Sequence, residues 1–323
     1  MRLSSDFFHL QKTEHLFFLR TEENSMDSTT QARIKSQLIA EIDEMPPLLQ
    51  QVAKYISDNP SDFGLDTIRK SADKIGVSPN TLVRMAAYLG FDSFDALREP
   101  FRQSLIIAAD KGVDPDWIAN YRAKDELGRE HANALRNEVN IVDRSLHLLT
   151  PETLRSIVRN LVGADNVYVT ATRSTYSLAF YFQYIGRMAI SNMQLVPRHM
   201  GNAIEDMAEL SKGDVLFAVT FRPYSAETIE AMRFANARGA KVVLMTDSEL
   251  VAPNIEITDL LRVTTQSTHF FGCYAGAMAV LDCLLSHLVN AGGESATSRI
   301  SKYENMRQNS GAYWRPTLPK VRK

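Results

Sequence analysis

The sequence predicts two domains of different fold class, an all-α domain followed by an α/β domain. The chain has 323 residues, more than a typical single domain. Up to about residue 108, apolar residues recur at helical spacing, whereas after Gly163 short β-branched runs alternate with helical stretches. We therefore expect a helical bundle followed by a parallel sheet flanked by helices.

The helical part is organised around the stretch from Ile68 to Phe91. Its first half has apolar residues at helical spacing and ends at Gly76, which tolerates a positive φ. Ser78 and Pro79 are typical of the cap and first residue of a second helix. Two short helices joined by a tight turn form a helix-turn-helix, whose second helix enters the major groove of DNA. The alternative is an ordinary αα-hairpin in a helical domain.

The charge of the chain does not by itself support DNA binding. The formal net charge is -2, and between Asp66 and Arg102 six basic residues face five acidic ones. DNA-binding domains usually carry a distinctly basic face. If this domain binds DNA, its few arginines must be well placed, and we expect the chain to dimerise and so add contacts.

The rest of the chain divides around these two domains. Residues 1–30 are expected to be a disordered or dispensable extension, because Met26 would make a natural start; an interaction arm built on the paired phenylalanines is the alternative. Residues 31–108 form the helix-turn-helix domain, and 109–125 a linker with mixed charges, glycine and proline. A long helix from Asp125 to Leu149 opens the second domain, at 126–290. The tail, 291–323, either docks on a neighbouring subunit or is disordered.

Five short runs in the second domain are predicted to be strands: Val167 to Val169, Met193 to Val196, Val215 to Thr220, Val242 to Thr246 and Leu261 to Thr264. Alternation of such strands with helices predicts right-handed crossovers and a parallel sheet. Ligands of these sheets bind outside the carboxyl ends of the strands, where loops meet helix N-termini.

Two of these strand ends carry hydroxyls and an arginine. The residues concerned are Arg173, Ser174 and Thr175 after the first strand, and Thr220, Arg222 and Ser225 after the third. Hydroxyls, guanidinium groups and backbone amides at helix N-termini form anion sites. Serine and threonine at either place could equally be helix caps. Two similar loops on one sheet edge favour a ligand site.

The chain resembles the RpiR family of bacterial transcription regulators, also called MurR/RpiR, over about residues 31–290. In the first half the likeness lies in Asn59-Pro60, Gly76-Val77-Ser78, Thr81, Arg84 and Leu89-Gly90-Phe91. In the second half it lies in the strand from Asp214 to Thr220 and in Thr246-Asp247-Ser248. The resemblance implies a helix-turn-helix domain joined to a sugar isomerase (SIS) domain that senses a phosphosugar, in a homodimer or homotetramer.

The resemblance also implies roles in DNA binding. Asn80 and Arg84 would read bases, since asparagine pairs with adenine and arginine with guanine. Ser78 and Thr81 would hold phosphate. Arg69 and Lys70 are candidates for backbone contacts, and a solvated helix face is the alternative for each.

The ligand loops depart from the family pattern. SIS domains usually have glycine in both loops, but here the first loop lacks glycine and the second has Arg222-Pro223 in its middle. The loss of glycine removes close backbone approach, while two arginines add bidentate anion recognition. The effector is therefore expected to be either a phosphosugar or another anionic metabolite such as a sugar acid.

The leading interpretation is a cytoplasmic transcriptional regulator that binds a double-stranded DNA operator and an anionic metabolite. A sugar-phosphate aldose-ketose isomerase is the alternative, with Glu227 or His269 as its base. A scaffold without ligand is a third possibility. We expect no catalytic residues, cofactor, metal or membrane contact: Cys273 and Cys283 lack neighbours at metal-ligand spacing, and no apolar run approaches the roughly 20 residues of a membrane span.

Overall fold

The computed structural model describes residues 30–110, 116–122, 125–199, 201–251 and 254–314. All but the last residue of the predicted N-terminal extension lies outside the described residues, as do residues 315–323 of the tail. The chain divides into two compact units. One contains the residues up to Ala119 with a short segment that begins at Ser248, and the other contains Asn120–Asp247 and the chain from Asn254 onward.

The described part of the first unit is helical, as predicted. Its helices are α1 (residues 30–41), α2 (Pro47–Asp58), α3 (Pro60–Leu65), α4 (Ile68–Ile75), α5 (Pro79–Tyr88) and α6 (Phe94–Asp110). Prolines at the first position of α2, α3 and α5 start these helices, where the missing N–H costs nothing. Ser93 caps α6, since its Oγ accepts a hydrogen bond from the Ala96 N–H at 3.1 Å.

The core of this unit joins α3 to α6. The ring of Phe63 packs edge-to-face against Phe94 and Phe101, with centroids 5.4 and 5.2 Å apart. A side chain at Gly64 would meet the Phe101 carbonyl carbon at 2.9 Å, so glycine allows the two helices to approach closely. The sequence patterns did not predict α3, which is too short for helical periodicity.

The predicted linker, 109–125, contains a helix. This helix, α7 (Asp116–Arg122), includes Ile118, whose side chain is fully buried. The sequence did not indicate this helix, because one buried apolar residue in a short charged segment gives no periodic signal. The boundary between the two units, at Ala119 and Asn120, falls within α7.

The second unit contains a five-stranded parallel sheet, as predicted. Its strands are β1 (Val167–Thr170), β2 (Met193–Val196), β3 (Val215–Val219), β4 (Lys241–Thr246) and β5 (Asp259–Arg262), in the order β2-β1-β3-β4-β5. The last strand begins two residues earlier than the sequence indicated. Its helices are α8 (Glu126–Leu148), α9 (Pro151–Val162), α10 (Tyr176–Ala189), α11 (Ala203–Asp206), α12 (Ala226–Ala237) and α13 (Ala275–Asn309).

Helices cover both faces of this sheet. Alternate residues of β3, such as Val215 and Phe217, share one core with buried residues of α9, α10 and α13. Leu216 and Ala218 are also fully buried and point to the opposite face, where α12 contacts β3 and β4. The body of the sheet is therefore apolar on both sides, and polar side chains collect at the strand ends.

The last described helix, α13, continues through the predicted domain boundary at residue 290. It bends at Gly293, where φ is 53°, and Ala296 beyond the bend is buried. The Arg299 guanidinium donates to the carbonyls of Met188 and Ala189 at the end of α10. Residues 291–309 are thus part of the folded unit.

By length and composition alone, α13 could also cross a membrane, which the sequence analysis did not anticipate. The apolar side chains of its first half have another role, since Leu281, Leu284 and Leu288 are buried in the core against the sheet. A core helix of a globular domain has the same composition.

Candidate functional sites

The predicted helix-turn-helix is formed by α4 and α5. Gly76 has a φ of 78° at the end of α4, and its N–H donates to the Ala72 carbonyl at 2.9 Å. The Val77 N–H donates to the same carbonyl at 3.1 Å. This left-handed turn ends α4 and requires a residue such as glycine. Pro79 then starts α5 at the predicted position.

The exposed face of α5 carries the residues predicted to read bases. Leu82, Met85 and Ala86 are buried in the helical core. Asn80 and Arg84 are exposed, and they are the second and the sixth of the ten residues of α5. Within the described part of the chain, Arg84 forms no ion pair. Its guanidinium is therefore available to a base or a phosphate.

Ser78 and Thr81, both predicted to hold phosphate, differ in exposure. Thr81 is only 5% exposed, and its Oγ1 lies 3.0 Å from the Ser78 Oγ. Ser78 itself is exposed, but its side chain makes no capping bond to the backbone of α5. Burial of Thr81 argues against a phosphate contact for its hydroxyl, which instead supports the start of α5.

Lys70, which was predicted to contact the DNA backbone, forms an ion pair with a buried carboxylate. The Asp66 side chain is 4% exposed, and its carboxylate oxygens lie 2.7 Å from Lys70 Nζ and 2.7 Å from Lys74 Nζ. Burial alone would raise the pKa of Asp66, but the hydrogen bonds from the two lysines hold it below its ordinary value. Lys74 also pairs with Asp62 at 2.7 Å, and these partners raise the pKa of Lys74. Arg69, by contrast, is exposed and forms no ion pair within the described residues.

The second candidate site lies at the carboxyl edge of the sheet. After β1, a single 3-10 turn (Arg173–Thr175) leads into α10, and Arg173 has a φ of 55°. Residues other than glycine rarely adopt this conformation, which costs about 1–3 kcal/mol when the surrounding structure enforces it. Arg173 and Ser174 are exposed, whereas Thr175 is buried and its Oγ1 donates to the Thr172 carbonyl at 2.7 Å. The Thr175 hydroxyl thus stabilises the turn.

The loop after β3 uses its hydroxyls internally. The Ser225 N–H donates to Thr220 Oγ1 at 3.2 Å, and Ser225 Oγ accepts from the Thr228 N–H at 3.4 Å. Thr220 and Ser225 are 2% and 6% exposed. For these two residues the geometry fits the alternative interpretation, in which serine and threonine cap and brace the start of α12.

Each arginine at this edge has a carboxylate partner, and the two pairs differ in burial. Arg222 Nε lies 2.9 Å from Asp247 Oδ2, and the Asp247 side chain is 3% exposed. Arg173 Nη2 lies 3.7 Å from Glu227 Oε2, and both of these side chains are exposed. A hydrogen bond from the Ser225 hydroxyl, followed by the charge of Arg173, lowers the pKa of Glu227. Arg173 is therefore the more easily detached of the two guanidinium groups.

The structure adds two residues that the sequence analysis did not assign to the site. Asp247, which holds Arg222, belongs to a motif that supported the family resemblance but had no assigned role. Tyr274 comes from the loop between β5 and α13: its hydroxyl lies 3.1 Å from Ser174 Oγ, and its ring centroid is 5.3 Å from that of Phe221. No local pattern marks Tyr274, which is 100 residues from Ser174.

Neither of the two residues named as a possible general base for isomerase chemistry lies in surroundings that favour this role. Glu227 is held ionised by its neighbours, which weakens it as a base. His269 is exposed, and its Nδ1 accepts a hydrogen bond from the Phe271 N–H at 3.2 Å. Among the described residues, no group of three or more histidine, cysteine or acidic side chains could hold a metal ion.

Comparisons with known proteins identify a SIS domain and relatives named as HTH-type regulators. A family model described as the SIS domain matches residues 160–253. An uncharacterised HTH-type transcriptional regulator of Caldanaerobacter subterraneus subsp. tengcongensis is 22% identical over 236 residues, which cover 72% of this chain and 79% of that protein. Another from Providencia stuartii is 16% identical over 198 residues, covering 61% and 68%.

A solved structure has the same fold in the second unit. The sugar isomerase domain of an RpiR transcription factor from Sphaerobacter thermophilus superposes with a TM-score of 0.51 at 19% identity, covering 54% of this chain and 97% of that one. The second unit thus contains a SIS domain, and the two relatives are named as transcriptional regulators. These similarities confirm the predicted resemblance to the RpiR family of regulators.

We predict that Asp66→Asn destabilises the helix-turn-helix unit by about 1–3 kcal/mol at pH 7, because Lys70 and Lys74 lose their shared carboxylate. The folded-state pKa of Asp66 is depressed, so its contribution is complete above the unfolded value, about 3.9, and is lost as the pH falls through the folded value. Urea unfolding of wild type and variant at several pH values should show two curves that converge below about pH 4.

Asp73→Asn is the matched control for this experiment, because Asp73 is an exposed carboxylate on α4, the helix that carries Lys70 and Lys74. It should leave the free energy of unfolding nearly unchanged. A difference between Asp66→Asn and wild type that stays constant down to the lowest pH would contradict the ion-pair explanation.

Proposed function

We propose that this chain binds an operator through the exposed face of α5 and changes its DNA affinity when an anionic metabolite binds at the carboxyl edge of the sheet. The observation that carries the proposal is the presence of both elements in one chain: a helix-turn-helix with Asn80 and Arg84 exposed, and a SIS domain with an arginine-bearing sheet edge. Relatives named as HTH-type transcriptional regulators support the DNA-binding half.

On the DNA, Asn80 and Arg84 would contact base edges in the major groove, and Ser78 and Arg69 the phosphates. Lys70 would contribute less, because Asp66 already neutralises part of its charge. So few contacts favour a homodimer or homotetramer. Two of its helix-turn-helix domains, here called heads, would read half-sites that lie about 34 Å apart or a multiple of that distance. This proposal places the protein in the cytoplasm, where the DNA is.

Arg84→Ala should weaken binding to a fragment of the protein's own promoter region by about 10- to 100-fold, because a bidentate arginine–guanine contact contributes about 1–3 kcal/mol of discrimination.

Arg69→Ala should weaken binding to all fragments alike and reduce the slope of log affinity against log salt by about 1. Fluorescence anisotropy across a salt series measures both effects. Arg155→Ala, which removes an exposed arginine of α9, is the control and should change neither. Equal effects of Arg84→Ala on every DNA sequence would contradict base reading.

We infer that the effector is a phosphosugar or another sugar-derived anion such as a sugar acid, and that Arg173 is its main charged contact. An incoming anion has to displace the carboxylate that each arginine already holds. Displacing exposed Glu227 returns that carboxylate to water, whereas displacing Asp247 would leave a buried charge without its partner. Arg222 would then act mainly by holding the loop after β3.

A thermal-shift screen of the full chain with sugar phosphates, sugar acids and inorganic phosphate tests this assignment. A ligand at 100 times its Kd stabilises by about 2.7 kcal/mol, a shift of about 5–10 °C in a unit of this size. Arg173→Ala should melt near the wild-type temperature without ligand but lose this shift. Arg222→Ala should melt at a lower temperature than wild type even without ligand, because the buried Asp247 carboxylate loses its ion-pair partner. Arg155→Ala again serves as control, and a full shift retained by Arg173→Ala would exclude Arg173 as the anion contact.

We further propose that the SIS domain binds its ligand without converting it. The support is the lowered pKa of Glu227 and the exposed, backbone-bonded position of His269. Incubation of the purified chain with aldose phosphates, followed by NMR, should show no ketose product. Product formation that is lost in Glu227→Gln would establish the isomerase alternative.

The scaffold alternative would gain support if, in the thermal-shift screen, no anion or sugar phosphate shifted the melting temperature.

A further inference from the structure

Tyr274 connects the two loops of the candidate effector site. Its hydroxyl lies 3.1 Å from Ser174 Oγ in the loop after β1, and its ring packs against Phe221 in the loop after β3. Tyr274 also directly precedes α13. A ligand held by Arg173 would lie beside Ser174, the neighbour of Arg173 in the chain and the hydrogen-bond partner of Tyr274.

The segment that carries Tyr274 is bonded to α8. Ser145 on α8 is fully buried, and its Oγ accepts from the Thr264 N–H at 3.1 Å and lies 3.2 Å from Thr264 Oγ1. Cys273 Sγ, next to Tyr274, donates to Glu138 Oε2 at 3.0 Å. Asn137 Nδ2 donates to the Gln266 carbonyl at 3.2 Å. Both ends of the segment 264–273 are thus fixed to one helix.

The start of α13 is also in close contact with α8. A side chain at Gly276 would collide with Ser145 Oγ and would meet the Ile141 carbonyl oxygen at 2.7 Å. Glycine is therefore the residue that allows the two helices to approach so closely. A close-packed joint of this kind transmits a displacement, because it has no free space in which to absorb one.

We propose that Tyr274 contacts the effector together with Arg173, and that the segment 264–276 transmits effector binding to α8. The inference rests on the proposed anion site at the loops after β1 and β3. In chain order, α8 is the first helix after the boundary between the two units. A ligand that moves Tyr274 must also move Cys273 and Gly276 and so shift α8, the first helix that lies wholly in the effector-binding unit. Such a route requires that the ligand bind the two positions of the segment with different affinity.

Hydrogen exchange of the full chain, followed by mass spectrometry, tests the link in two arms. Without ligand, Tyr274→Ala should raise exchange in residues 137–145 of α8 by about threefold or more, because the bonds of the neighbouring segment loosen. Phe270→Ala is the matched control: it removes an aromatic ring from the same loop, but Phe270 is 96% exposed, so α8 should be unaffected. Unchanged exchange in α8 of Tyr274→Ala would overturn the inference whatever the effector is.

The second arm adds glucose 6-phosphate or inorganic phosphate. In wild type, slower exchange is expected in the loops after β1 and β3 and also in residues 137–145. In Tyr274→Ala, the protection of α8 should disappear while some protection of the two loops remains. Protection of the loops without any change in α8 of wild type would overturn the transmission route and leave the proposed function intact. No protection by either probe would overturn the anion site itself, and the inference with it.

Discussion

A parallel sheet covered on both faces is the constraint on which the second unit depends. In β3 every residue is buried, and in β4 every residue after Lys241 is buried. A polar side chain in the middle of such a sheet would lack hydrogen-bond partners and could not reach a ligand. Since parallel strands end on the same edge, the chemistry of the unit is confined to the loops that follow β1, β3, β4 and β5. Arg173, Arg222, Asp247 and Tyr274 come from these four loops.

Charge at this edge is balanced before any ligand arrives. The two arginines face two carboxylates, so a ligand gains affinity only by replacing one of those partners. Burial decides which one: Asp247 is 3% exposed and Glu227 is 60% exposed. The arginine with the exposed partner is also the one in a left-handed backbone conformation. Strained conformations of this kind are tolerated where function requires a particular side chain, which is consistent with a ligand-binding role for Arg173.

Local signals explain what the sequence could predict. Gly76, Pro79 and the apolar stripe of α5 act over a few residues, so the helix-turn-helix was predictable to within a residue. The β-branched runs likewise predicted the strands. The hydroxyls of the two loops were not predictable, because serine and threonine serve as caps and as ligand contacts in the same sequence positions. Thr220 and Ser225 turned out to face their own loop. Tyr274 depends on a contact 100 residues away, which no local pattern encodes.

Internal ion pairs also reduce the number of cations that the helix-turn-helix can offer to DNA. Lys70 and Lys74 are tied to Asp66, so Arg69 and Arg84 are left as the exposed cations of α4 and α5 that have no acidic partner within the described residues. Each phosphate contact contributes a salt-dependent increment of affinity, and a head with few contacts binds weakly alone. Two weak heads on one oligomer bind tightly only when their spacing matches the operator. Weak individual binding is therefore useful to a regulator, because a small change in the position of the heads then changes the affinity for DNA substantially.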